Sequence, residues 1–247
     1  MMPVEPTTNM RVGDDAEGVA RAVARHFAEM ASACVSERGS FSVALAGGTT
    51  PKRVYELLAG EELRGEVPWD GVHVFFGDER CVPPDHADSN YRMAHEALLS
   101  RVPVPEKNIH RMRGEGDAAA GARLYEDELR AFFGDGEWPR LDLVMLGMGD
   151  DGHTASLFPG TAALAEQRAW AVANWVEKFD TWRVTLTAPA INHARHVFFV
   201  VTGAGKAARL AEILKGERDP SRLPSQLIEP VDGMLEWFVD RDAAADL

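Results

Sequence analysis

Cysteine is scarce: only Cys34 and Cys81 occur in 247 residues. Two thiols build neither a disulfide framework nor a zinc cage, and they suit a reducing compartment, so a cytoplasmic location is expected. Positive charge is in deficit too. Lys and Arg number 26 against 39 Asp and Glu, a formal net charge of −13. Such a chain has no global field to attract nucleic acid or an anionic membrane, and holds an anion only in a locally basic pocket. No segment approaches the roughly 18 consecutive apolar residues of a membrane helix. The start, Met1-Met2-Pro3-Val4-Glu5-Pro6, has no basic run before an apolar stretch, so no signal peptide is expected. There is no internal repeat and no low-complexity tract. With 45% hydrophobic and 26% charged residues the composition is that of a globular protein. We expect one α/β domain over 1–247, a monomer whose partner is a small molecule.

Residues 1–13 read as a loose lead-in. Asp14 and Asp15 offer N-cap chemistry for an Ala-rich helix over 16–38, which Gly39 ends. Apolar runs mark strands at 41–46, 72–76 and 141–146, with further strands expected at 169–176, 184–187, 197–201 and 235–239 and a short one at 109–112. Helices are expected at 51–59, 90–100, 117–133 and 205–215, and 77–89 reads as a polar loop. Strand and helix alternate, which predicts a mostly parallel sheet with helices on both faces.

In open α/β sheets the ligand lies beyond the carboxyl ends of the strands. Four strand ends here carry glycine with a polar or charged group. Gly47-Gly48-Thr49-Thr50 leads into a helix; it is either an anion-binding turn or an ordinary tight turn. Gly203-Ala204-Gly205-Lys206 has the same form plus a cation. It is not a phosphate-binding Walker loop, because Val200 and Ala207 stand where Gly and Ser or Thr belong. A lysine in a first helical turn opposes the helix dipole, which favours an anion contact for Lys206 over a plain surface role.

Gly147-Met148-Gly149-Asp150-Asp151-Gly152 formally matches a dinucleotide fingerprint, but two aspartates repel a pyrophosphate and Pro159-Gly160 cut the helix short. Asp151 and His153 instead suggest a general base whose imidazole tautomer a carboxylate fixes; the bland reading is a loop histidine beside a capping aspartate. Asp78-Glu79-Arg80 offers a base or orienter in Asp78 and a two-pronged anion contact in Arg80, against the bland reading of a solvated loop. For Asp78, His86, Asp151 and His153, or for His193 with His196, the alternative is a metal, but no HExxH, paired CxxC or EF-hand spacing occurs. We expect no metal and no cofactor.

Taken together these segments resemble the glucosamine-6-phosphate isomerase/6-phosphogluconolactonase family. The likeness runs from Leu45–Pro51 through Phe76–Pro83, Ser89-Asn90-Tyr91 and Gly147–Pro159 to Arg183–Thr187, Gly205-Lys206-Ala207 and Leu223-Pro224-Ser225. It implies the Rossmann-like fold shared by the deaminases, ribose-5-phosphate isomerase and the CoA-transferases. Within the family Phe158 stands where the deaminases carry a ring-opening Glu, and Arg80 also matches the lactonases. The segment before Arg183, Phe179-Asp180-Thr181-Trp182, lacks the prolines frequent in lactonases. The resemblance implies hydrolysis of 6-phospho-D-glucono-1,5-lactone in the pentose phosphate pathway. Gly47, Gly48, Thr49, Arg183 and Lys206 would hold the phosphate. His153 would activate water, Asp151 and Asp78 would orient or tune it, and Arg80 would stabilise the oxyanion or hold the nascent carboxylate. The alternatives are an amino-sugar-phosphate deaminase or isomerase, and a non-catalytic sugar-phosphate-binding regulator.

Overall fold

The computed structural model describes residues 8–247. In chain order the strands are β1 (Thr8–Gly13), β2 (Phe41–Leu45), β3 (Val72–Phe76), β4 (Asp78–Arg80), β5 (Leu143–Leu146), β6 (Ala171–Val176), β7 (Thr181–Leu186), β8 (His196–Val201) and β9 (Met234–Asp240). The helices are α1 (Ala16–Arg38), α2 (Thr49–Leu58), α3 (Asn90–Ala94), α4 (Ala118–Phe133), α5 (Ala188–Asn192) and α6 (Ala207–Lys215).

Local chemistry sets the elements as expected where the signals were strong. Asp15 accepts from the Gly18 amide at 2.7 Å to start α1. Gly39, at φ 81°, ends it with a left-handed turn that a side chain would strain. Val19, Val23, Phe27 and Ala31 recur every four residues and are all buried. Six parallel strands lie in the order β1-β9-β8-β5-β2-β3. Every residue of β2 and β5 is buried, as a parallel sheet covered on both faces requires.

Four differences from the sequence reading stand out. The loose lead-in expected over 1–13 gives way at Thr8, from where the chain is an edge strand paired along β9; its first seven positions lie outside the described residues. Its polar Asn9 and Arg11 hid it, and Arg11 is used to reach the buried Glu236 at 2.7 Å. The polar loop at 77–89 contains β4, a charged triplet held extended by antiparallel pairing with β7. Together with β6 these two strands form a second, three-stranded sheet. The strand expected at 109–112 is a single bridge from Ile109 to Val74. The helix over 90–100 divides into α3 and a wider π turn at His95–Leu99.

The strand order reverses between β2 and β5, and there the sheet opens. The two strands are in register only at Val43–Leu143 and Ala44–Val144. Beyond that point the Tyr55 hydroxyl accepts from the Ala46 amide at 2.9 Å and donates to the Ala46 carbonyl at 2.8 Å. At the end of β3, Tyr125 does the same for Phe76, at 2.8 and 2.9 Å. Burial pushes both phenols above their ordinary pKa, so each stays protonated in this role.

Candidate active site

A cleft sits at the strand ends where the sheet opens. Gly47, Gly48, Asp78, Arg80, His153 and Arg183 all line it, so residues spread over more than half the sequence meet in one place. Asp151 stands just behind His153. Thr49 and Lys206 are not among the lining residues.

The loop after β5 folds back on itself through a Gly149 amide bond to the His153 carbonyl, 2.8 Å. A Cβ on Gly149 would stand 2.0 Å from His153 Nδ1, so only glycine leaves room for the imidazole. His153 Nδ1 donates to Asp151 Oδ1 at 2.5 Å, which leaves Nε2 as the nitrogen available for proton transfer. The other face of the carboxylate, Oδ2, accepts from Lys178 Nζ at 2.8 Å. The His153 bond, with Lys178 adding to it against desolvation, holds the Asp151 carboxyl well below the usual carboxylate range. The His153 ring stacks on Phe158 with centroids 3.9 Å apart. It is Asp151, not Asp78, that touches His153.

Asp78 is fixed elsewhere. It is only 7% exposed, and accepts from Ser156 Oγ at 2.6 Å and Asn90 Nδ2 at 3.2 Å. Asn90 approaches so closely that a Cβ on Gly47 would lie 2.0 Å from its Oδ1. Glu79, though buried, is structural. It accepts from the amides of Arg80, Asn90 and Tyr91 and the hydroxyl of Ser89, at 2.7–3.0 Å. Burial pushes its carboxyl above the ordinary value, and those donors oppose the shift.

Arg80 and Arg183 face each other as register partners across β4 and β7. Each has a buried Nε with no hydrogen-bond partner among the described residues. Arg80 spends one Nη on the Asp88 carbonyl, 2.5 Å. The Arg183 guanidinium lies 5.8 and 5.6 Å from the Phe158 and Phe179 ring centres. Burial lowers its pKa; Asp78 opposes this and Arg80 adds to it. Two opposed guanidiniums with unmet donors form the local basic pocket that a −13 chain needs in order to take an anion.

The two remaining turns lie side by side. Thr50 Oγ1 and Thr202 Oγ1 are 3.0 Å apart, tying the start of α2 to the turn before α6. α2 begins at Gly48, φ 104°, without a side-chain cap or an acidic first turn, so its amide ends are open to an anion. Lys206 Nζ reaches the Met148 carbonyl at 2.9 Å and pairs with Asp150. That pairing holds the Asp150 carboxyl below its ordinary value.

His193 bonds the Pro189 carbonyl at 2.7 Å, His196 lies beside Glu236 and His86 beside Asp88; none of the three lines the cleft. Among the described residues no three His, Cys, Asp or Glu side chains cluster as metal ligands, and no helix is long and apolar enough to cross a membrane. Sequence reasoning missed Asn90, Ser156 and Lys178 as site partners. Ser89, whose hydroxyl caps α3 at the Arg92 amide, marks where the helix of Asn90 begins but does not announce its contact with Asp78.

The sequence pattern described as "Glucosamine-6-phosphate isomerases/6-phosphogluconolactonase" matches residues 14–237. The chain belongs to this family. Among family members, a 6-phosphogluconolactonase of Synechocystis sp. is 48% identical over 217 residues, covering 86% of this chain and 87% of its own. The structure of 6-phosphogluconolactonase from Trypanosoma cruzi superposes with a TM-score of 0.87 at 30% identity, over 100% of this chain and 99% of that one. A monomeric glucosamine-6-phosphate deaminase, 19% identical with a TM-score of 0.82 over 97% of this chain and 100% of its own, shares the fold.

Proposed function

We propose that this chain hydrolyses 6-phospho-D-glucono-1,5-lactone to 6-phosphogluconate, the lactone-opening step of the pentose phosphate pathway. The observation that carries the reading is the pairing of a carboxylate-anchored imidazole, His153 on Asp151, with two opposed guanidiniums in the same cleft.

In this reading His153 Nε2 takes a proton from water as the oxygen attacks C1 of the lactone. Asp151 keeps Nδ1 protonated and stabilises the imidazolium that forms. Negative charge gathers on the former carbonyl oxygen, where Arg80 stabilises it. The C1–ring oxygen bond then breaks, the imidazolium returns its proton to the ring oxygen, and the new carboxylic acid loses its proton to solvent. Asp78, held by Ser156 and Asn90, balances the charge of the two arginines. The phosphate on C6 is held by Arg183, the turn Gly47-Gly48-Thr49 and Lys206, with the phosphate taking over Lys206 from Asp150. These groups supply water activation and charge stabilisation with no cofactor or metal. Phe158 cannot relay a proton, which argues against the deaminase ring-opening chemistry.

The test is hydrolysis of freshly made lactone by purified protein, with the spontaneous rate subtracted. His153→Ala is expected to lower kcat by about 10²–10⁴, the usual worth of a positioned acid–base group, and to weaken binding of 6-phosphogluconate far less. Near-wild-type turnover in that variant sinks His153 as the base. Ammonia release from glucosamine 6-phosphate by the unaltered protein sinks the lactonase reading.

A further inference from the structure

The tip of the hairpin joining β6 and β7 packs behind the Asp151–His153 pair. It is a tight turn: the Asp180 amide bonds the Glu177 carbonyl at 3.1 Å, and Asp180 itself sits at φ 49°, in the left-handed region. That turn sends two neighbours to the same target. Phe179 meets Phe158 edge-on, ring centres 5.8 Å apart, and Phe158 in turn stacks on His153. Lys178 bonds the Asp151 oxygen that His153 does not use. The Asp151 carboxylate is thus shared between an imidazole and an ammonium.

We infer that Lys178 is a positioning residue that sets the basicity of His153 through Asp151. The inference rests on the proposed role of His153 as base. An isolated Asp151 would stabilise the imidazolium and hold His153 protonated to higher pH, which idles a base. An ammonium on the far oxygen draws off part of that negative charge and repels the imidazolium, so the neutral, proton-accepting form persists to lower pH. Of the other charges near the pair, Arg209 of α6 bonds the Asp150 carbonyl and is paired with Glu212. Asp150, on the same loop, is paired with Lys206 at the start of α6. Arg183 of β7 lies over Phe158, and Asp78 and Arg80 of β4 line the cleft opposite. Only Lys178 contacts the Asp151 carboxylate besides His153 among the described residues.

Lys178→Met and Lys178→Arg test this in the full-length protein. Lys178 is 58% exposed, so neither change disturbs the core. In Lys178→Met the acid limb of kcat/KM is expected to move up by about half to one pH unit, a fraction of the shift a close buried charge gives. Activity recovers to within about threefold at high pH, as the limb alone dictates. Lys178→Arg restores the wild-type limb. A titration of the His153 imidazole by NMR on histidine-labelled protein is expected to show the same shift. If that resonance titrates identically in wild type and Lys178→Met, or if activity falls equally at every pH, the inference is overturned. If the resonance shifts but the kinetic limb does not follow, the coupling stands and it is His153 as the base that fails.

Discussion

Replacing Arg183 with Met removes one of two guanidiniums opposed across the β4–β7 ladder, and the consequences for stability and for activity should run in opposite directions. A charged donor left unpaired when buried costs about 1–3 kcal/mol. Like charges directly opposite on a ladder cost a further ~0.2–1 kcal/mol. Arg183 is only half-buried and attracted by Asp78, so solvent and that carboxylate reduce the sum to a net relief of about 1 kcal/mol. For a chain of this size that raises Tm by about 2–4 °C. A methionine of similar reach is expected to keep apolar contact with Phe158 and Phe179, which limits any cavity and makes up part of the lost attraction between the guanidinium and those rings. Activity should fall, because a charge-assisted bond to the phosphate is worth roughly 1.5–3 kcal/mol, or about 10- to 150-fold in kcat/KM. If that bond is equally strong in ground and transition states the loss appears in KM. The assay pairs thermal melts with hydrolysis of the phosphorylated lactone and of plain gluconolactone. Phosphate ion should also raise the Tm of the wild type more than that of the variant. A lower Tm together with equal losses on both lactones would refute the reasoning, since Arg183 would then support the fold and not the anion.

Asp151→Asn should lower kcat by about 10²–10⁴ through loss of the fixed tautomer. The Asp151 carboxyl is held below its unfolded value, so its contribution to stability is complete above about pH 5 and fades as pH falls below about 4; the melting difference between wild type and this variant should close over that range, and a constant difference would count against the ion pair. Gly149→Ala should displace the imidazole, because its Cβ would stand 2.0 Å from His153 Nδ1; a folded protein with about 100-fold lower kcat is expected, and full activity would show that the loop yields. Arg11→Ala takes a partner from Glu236, whose side chain is 1% exposed. Burial pushes that carboxyl up, but His196, His26 and Arg11 more than offset it. The cost should be about 1–2 kcal/mol, with faster amide exchange confined first to β1; unchanged exchange there would mean that β1 docks without the ion pair.

The legible parts of the fold were those with local signals. Asp15 and Gly39 bracket α1 by cap chemistry, and the apolar runs of β2, β3, β5 and β8 need no partner to be recognised. β1 and β4 have no such signal: Asn9, Arg11 and the Asp78-Glu79-Arg80 triplet are extended only because β9 and β7 pair with them. Grouping β4, β6 and β7 into a second sheet is likewise a tertiary fact. In the site, Asp151 and His153 were legible because they stand only two positions apart in sequence. The bonds Asn90–Asp78, Ser156–Asp78 and Lys178–Asp151 span 12, 78 and 27 residues, and nothing in the local pattern announces them.

The tyrosine that closes off β2 has a kinetic implication. A cleft between two strands is ordinarily at risk of zipping, since their free amides and carbonyls attract one another. Here both backbone groups of Ala46 are already satisfied by Tyr55, and those of Phe76 by Tyr125. On the β2 side, then, Ala46 has no unmet bond with which to pull the seam shut, which favours a mouth already open before a ligand arrives. Capture should then be a single bimolecular event, its rate linear in ligand concentration, with no slow unimolecular opening ahead of it. For a lactone that decays by itself in water, a receptor already open on arrival wastes none of the substrate's short lifetime.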